Sequence, residues 1–194
     1  MTPEEALELL KAGNERFVAG EPLHRDLPAK VRATAAGQYP FGAIVSCMDS
    51  RVPVELVFDL TVGDAFSIRV AGNVINEDIL GSLEFATQIA GAKLILVLGH
   101  TRCGAVRGAI DGVKLGNLTA LLDRVVAADA PRPGPGSDDE SAYVEAVTRE
   151  NALHSMRDIR EKSAVVRKLL ESGAVRLSGG IYDVETGRVT FFDD

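Results

Sequence analysis

The feature that most constrains this chain is the run KLILVLG at residues 93–99, in which five large aliphatic residues follow one another without a polar position. A strand with one wet face alternates apolar and polar residues. A strand without that alternation has to be covered on both faces, the condition of a parallel sheet in an α/β protein. FGAIVSC at 41–47 reads the same way, and DAFSIRV at 64–70 reads as a further strand. NEDILGSLEFATQIAGA at 76–92 reads as a helix, with Asn76 or Asp78 near its start and Gly91 near its stop. Strands alternating with helices predict an α/β fold, with a mostly parallel central sheet flanked by helices.

The flanks complete this plan. Thr2 and Glu5 form a T-x-x-E capping box, Pro3 suits the first helical position, and Leu7, Leu10, Phe17 and Val18 fall near one face. With the weaker helical stretch AKVRATAAG beyond the break at AGEPLHRDLP, residues 1–34 read as an N-terminal helical arm. After KLILVLG, CGAVRGAID and NLTALLDRVVAADA read as helical, PRPGPGSDD as a loop, and Ser141 to Glu171 as a long helical region with room for an interruption. VRLSGGIYDVETGRVTFF closes the chain as a β-hairpin or edge strand around ETG, where Gly187 can take a positive φ. There is no internal repeat, and residues 1–194 read as a single domain.

Charge narrows the function classes. With 28 acidic against 21 basic side chains the net charge is −7, and no basic run of five or more residues appears. That balance speaks against a nucleic-acid or anionic-membrane partner. No stretch approaches the roughly 20 apolar residues of a membrane span. MTPEEALELL carries acids where a signal peptide would carry positive charge, so the expected location is the cytoplasm. In a reducing compartment the two cysteines, Cys47 and Cys103, read as free thiols or metal ligands, although counting alone leaves a disulfide open.

Ligands of open parallel sheets bind at the carboxyl ends of the strands. Cys47 ends one apolar run, His100 ends another, and Cys103 opens the helix behind it. Taken singly, Cys47 reads as a small core residue and H-x-x-C is a weak motif. If the two strands are neighbours, however, two sulfurs and one imidazole converge. Cys2His is a catalytic zinc set that leaves the fourth position free, and soft thiolates with imidazole favour zinc over magnesium or calcium. Asp49 and Arg51 follow on the turn, where Arg51 can clamp the Asp49 carboxylate bidentately and keep it ionised. On spacing alone that pair reads as an ordinary surface ion pair. His24 and His154 have no partners nearby in sequence and read as surface residues.

CMDSRV at 47–52 and HTRCGAV at 100–106 resemble the two zinc-binding signatures of the β-class carbonic anhydrases. GDAFSIRVAGN, LGSLEFA and GAIDGVKLGNL add to the resemblance, which is strong over about residues 35–122. It implies one Zn2+ per chain on Cys47, His100 and Cys103, with Asp49 and Arg51 as the catalytic dyad. By the same resemblance Gln38 and Phe66 match substrate-pocket positions of the plant-like subclass. Phe85 stands where that subclass carries a tyrosine, so the hydroxyl is missing, and the Gly104 N–H would face the substrate. A second subclass closes its site when bicarbonate binds beside a tryptophan three residues before the first zinc cysteine. Here that position is Ile44 and the chain has no tryptophan, so no such switch is expected. Family members assemble as dimers and larger even-numbered homo-oligomers with the N-terminal helix on the partner, although such a helix can equally pack on its own domain.

The activity implied is the reversible hydration of CO2 to bicarbonate and a proton. Val52, Phe66 and Phe85 would wall a small apolar pocket and Gln38 would offer a polar contact; no shuttle histidine is identifiable. Hydrolysis of carbonyl sulfide or carbon disulfide by the same site is the nearer alternative. A Cys47–Cys103 redox pair, or a non-enzymatic zinc-binding protein, is the more distant one.

Overall fold

The structure is a computed structural model that describes residues 1–126, 132, 134 and 139–193. Its centre is a five-stranded sheet of β1 (Gly42–Ser46), β2 (Ala65–Arg69), β3 (Leu94–His100), β4 (Arg176–Tyr182) and β5 (Val189–Phe192), in the order β2-β1-β3-β4-β5. The first three pairings are parallel and the last is antiparallel. Around the sheet lie α1 (Pro3–Ala19), α2 (Leu27–Thr34), α3 (Val54–Val57), α4 (Glu77–Glu84), α5 (Gly104–Ile110), α6 (Gly116–Leu122), α7 (Asp139–Lys162) and α8 (Ala164–Glu171). A single turn, Ala71–Asn73, follows β2, and α4 runs on as a wide turn over Phe85–Ile89.

Every residue of β1 and β3 is buried, as the unbroken apolar runs require. Ala43, Val45, Ile95 and Val97 face Ile79, Leu83, Met156, Ile159 and Val166, from α4, α7 and α8. Ile44, Leu94, Leu96 and Leu98 face Leu7 and Leu10 of α1 and Val54, Val57 and Phe58 in and after α3. Each large aliphatic side chain so buried contributes roughly 1.5–3 kcal/mol. β2 departs from this pattern: it forms one edge of the sheet and leaves Ser67 and Arg69 exposed.

The N-terminal helix packs on its own domain. Its capping box is formed, with the Glu5 N–H donating to Thr2 Oγ1 and the Thr2 N–H to Glu5 Oε2. Gly13 lets the helix touch the next layer, because a Cβ there would come within 2.0 Å of the Phe58 carbonyl oxygen. Asn14 then ties three segments together. Its amide donates to the Val57 and Gly187 carbonyls and its oxygen accepts from the Val189 N–H.

The long C-terminal helical region breaks at Ser163, whose hydroxyl accepts from the Val166 N–H and starts α8. The closing hairpin forms β4 and β5, with Gly187 at φ 74°. Its first arm is more than an edge, since β4 pairs in parallel with β3 over seven residues. The loop expected at PRPGPGSDD, and the last residues expected to be helical in NLTALLDRVVAADA, lie largely outside the described residues.

Candidate metal centre

β1 and β3 are neighbours, so the condition set by the sequence is met. Ser46 pairs with Leu98, which brings Cys47 level with the end of β3. Beyond His100 the chain turns back through Arg102, at φ 56°, and delivers Cys103 as the residue capping α5. The Thr101 N–H donates to the Tyr182 carbonyl and the Val184 N–H to Thr101 Oγ1, which anchors that turn to the end of β4. Cys47, His100 and Cys103 are all buried, and their ligand atoms lie within 4.8 Å of one another. Among the described residues no other group of His, Cys, Asp and Glu side chains converges in this way.

The two sulfurs are 3.9 Å apart and unlinked. Two thiolates on one tetrahedral zinc sit about 3.8 Å apart, given Zn–S bonds of about 2.3 Å. His100 Nδ1 lies 2.9 Å from the Thr101 carbonyl, to which it donates, so Nε2 presents its lone pair to the sulfurs. That Nε2 is buried without a hydrogen-bond partner. Leaving such an atom unpaired costs roughly 1–3 kcal/mol, which a metal ion would relieve. The donors therefore fit a soft, tetrahedral cation.

The sulfurs share the electrostatics of a pair. A hydrogen bond from the Cys103 thiol, opposed by burial, helps hold Cys47 well below the ordinary thiol range, and the Gly72 N–H adds to it. Cys103 is pushed up, first by that same bond and then by burial. Beside them Asp49 is clamped by Arg51: Oδ1 accepts from the Arg51 N–H and Nε at 2.9 Å, and Oδ2 from Nη2 at 2.8 Å. The guanidinium holds the Asp49 carboxyl far below the usual carboxylate range. Asp49 Oδ2 stands 3.9 Å from His100 Nε2, so the carboxylate borders the donor cluster.

A family model described as carbonic anhydrase matches residues 42–189. Carbonic anhydrase 2 of Mycobacterium tuberculosis is 37% identical over 193 residues, covering 98% of this chain and 93% of its own. The carbonic anhydrase of Mycolicibacterium smegmatis is 33% identical over 189 residues, covering 96% and 92%. The chain belongs to the β-class carbonic anhydrase family. The class follows from the fold, which aligns with the β-carbonic anhydrase CafA of Aspergillus fumigatus at a TM-score of 0.73 and 25% identity, over 98% of this chain and 90% of that one.

Within this carbonic anhydrase the other expected site residues are not all brought together. Gly104 is exposed at the start of α5, with open space where a Cβ would project. Val52 is fully buried in the core cluster that holds Ile44 and Leu98. Phe66 and Phe85 meet edge to face with centroids 6.1 Å apart, beside a groove of about 680 Å³ lined by Ser67, Asp78 and Ser82. That groove is not at this chain's own donors. Phe66 pairs with Ala43, four residues before Cys47, roughly 13 Å away along the strand. Gln38 is exposed before β1 begins, at the far end of the sheet from Cys47. His24 is exposed; His154 is half-buried, 3.7 Å from Asp158.

The sequence reading missed two contributors. Arg69, exposed at the end of β2, donates through Nη2 to the Asp49 carbonyl at 2.6 Å. The only hint in the sequence is a cation near the end of the strand DAFSIRV. The Gly72 N–H donates to Cys47 Sγ at 3.3 Å. A backbone donor carries no side-chain signature at all.

Proposed function

We propose that this chain is a zinc lyase catalysing the reversible hydration of CO2 to bicarbonate and a proton, with one Zn2+ held per chain by Cys47, His100 and Cys103. The observation that carries the reading is the convergence of those three buried donors against an Arg51-clamped carboxylate. A zinc ion bound there supplies, at near-neutral pH, a nucleophile made from water whose pKa is lowered toward about 7. Asp49, kept ionised by Arg51, accepts a hydrogen bond from the attacking group and aims its lone pair at the carbon of CO2. Arg51 keeps that carboxylate from taking the proton, and its Nη2 also donates to the Arg102 carbonyl, so the clamp is fixed to the turn that delivers Cys103. Burial of the donors limits solvent access on their protein side. The released proton passes to solvent.

Phe66, Phe85 and Gln38 lie too far along the sheet to serve their own chain's donors, so they wall the site of a second copy. Val52 supports the Asp49 turn from beneath, and the Gly104 N–H faces the substrate. An even-numbered homo-oligomer, at least a dimer, accommodates this arrangement. It also gives a role to α2, which buries none of its side chains within the protomer and exposes Leu27 and Val31. With Ile44 buried inside β1 and Asp49 engaged by Arg51, the reading is of the plant-like subclass without a bicarbonate lock. No helix among the described residues is long and apolar enough to cross a membrane, and with two free thiols we place the protein in the cytoplasm.

Stopped-flow CO2 hydration on wild type and Asp49→Asn, matched for zinc content, tests the reading. Rapid wild-type turnover and a loss of about 10²-fold or more in the variant are expected. Zinc-loaded wild type without turnover would sink it.

A further inference from the structure

The Cys47 sulfur receives a hydrogen bond from the Gly72 N–H at 3.3 Å, inside the protein. The turn that aims this donor does not hold itself in place. Gly72 and Asn73 both have left-handed backbone, at φ 68° and 44°, and the turn's own bond is a single one, from the Asn73 N–H to the Val70 carbonyl. Gly72 takes that conformation freely, but Asn73 carries a side chain and persists there only where the surroundings over-determine it. Position 72 is also tight for a larger residue, since a Cβ would meet Ala105 Cβ at 3.2 Å and Val125 at 3.4 Å.

What holds the turn comes from α7, about eighty residues later. Asn151 Nδ2 donates to the Gly72 carbonyl at 2.7 Å, and Ser155 Oγ donates to the Asn73 carbonyl at 2.9 Å. The two side chains are one helical turn apart, so they share a face, and both are buried. Asn151 thus grips the same residue whose N–H meets the sulfur.

We infer that Asn151 and Ser155 are positioning residues of the metal centre: by fixing the Gly72–Asn73 turn they set the placement and the donor strength of the Cys47 sulfur. The inference rests on the metal reading given above. A hydrogen bond to a thiolate lowers the energy of the sulfur lone pair and fixes its direction. Loss of an outer partner of this kind typically weakens metal binding by about 10- to 100-fold.

The test compares Asn151→Leu and Ser155→Ala with wild type and with Met156→Ala, using the purified full chain. Met156 is a fully buried apolar neighbour on α7, so its truncation leaves a core cavity and removes no side-chain hydrogen bond of the Asn151 and Ser155 kind. Zinc affinity is read by competition with a chromophoric chelator, and the sulfur by the thiolate-to-metal charge-transfer bands of the Co2+-substituted protein. Both turn variants are expected to bind zinc about 10- to 100-fold more weakly, with the bands moved to lower energy. Met156→Ala should lose stability yet keep wild-type affinity and bands. The proposal is overturned if either readout stays at the wild-type value in the turn variants, or if Met156→Ala loses zinc to the same extent. Wild type that takes up neither metal would overturn it together with the metal reading, and so tells the two failures apart.

Discussion

His100 Nε2 is a buried nitrogen facing two sulfurs with nothing to bond, and Asp49 is a carboxylate that its neighbour will not let go neutral. Those two side chains bear most directly on the chemistry at the residue scale. Removing one donor, as in Cys103→Ser or His100→Ala, is expected to leave the chain folded but unable to retain zinc through dialysis, which metal analysis reads directly. Cys47, His100 and Cys103 were legible in the sequence because metal-binding residue types stood at the ends of strands that had to be parallel. Gly72, Asn151 and Ser155 were not, since they act through backbone groups or from some eighty residues away. Phe66 and Phe85 could be named only by resemblance. Their periodicity fits a core aromatic equally well, and nothing in one chain's pattern carries the role proposed for them.

At the scale of elements, two junctions hold the architecture together. Asp59, itself left-handed at φ 47°, is buried between Arg16 of α1 and Arg25 of the following loop, and also accepts from the Leu23 N–H. Burial pushes its carboxyl up, but the two guanidiniums and that N–H outweigh it and the net shift is downward. A carboxyl lowered on folding adds stability that is complete above its unfolded pKa of about 3.9 and is lost as the pH falls. Asp59→Ala should therefore cost about 2–3 kcal/mol near pH 7, discounted for the partial exposure of both arginines, and less in acid. Urea unfolding at pH 7 and pH 3 checks this; an equal gap at both would contradict it. The second junction is Ser163, which caps α8 and donates to Glu84 at 2.6 Å. Ser163→Ala should lower stability by about 1 kcal/mol, measured as a fall in Tm. The sequence announced the capping box of α1 and the turn at Gly187, which are local chemistry, and left room for the break between α7 and α8 without locating it at Ser163. It was silent on the tertiary contacts that decide where α1 docks, and on the wide turn at Phe85–Ile89.

At the scale of the molecule, the sheet order puts Cys47 and His100 on adjacent strands, while the Phe66–Phe85 groove sits well back along the sheet. One chain thus carries the donors of the proposed metal site and, elsewhere, the wall proposed for another copy's site. Co-expressing His100→Ala with a Phe66→Ala, Phe85→Ala double variant tests this. Mixed oligomers should recover hydration that neither parent shows, whereas walls acting within their own chain would give no recovery. Zinc dependence of the hydration is measured by titrating the metal-free protein with zinc while following CO2 hydration. Activity should rise linearly and stop at one zinc per chain. Hydration that is independent of zinc, or a full zinc site without hydration, would contradict the proposed function.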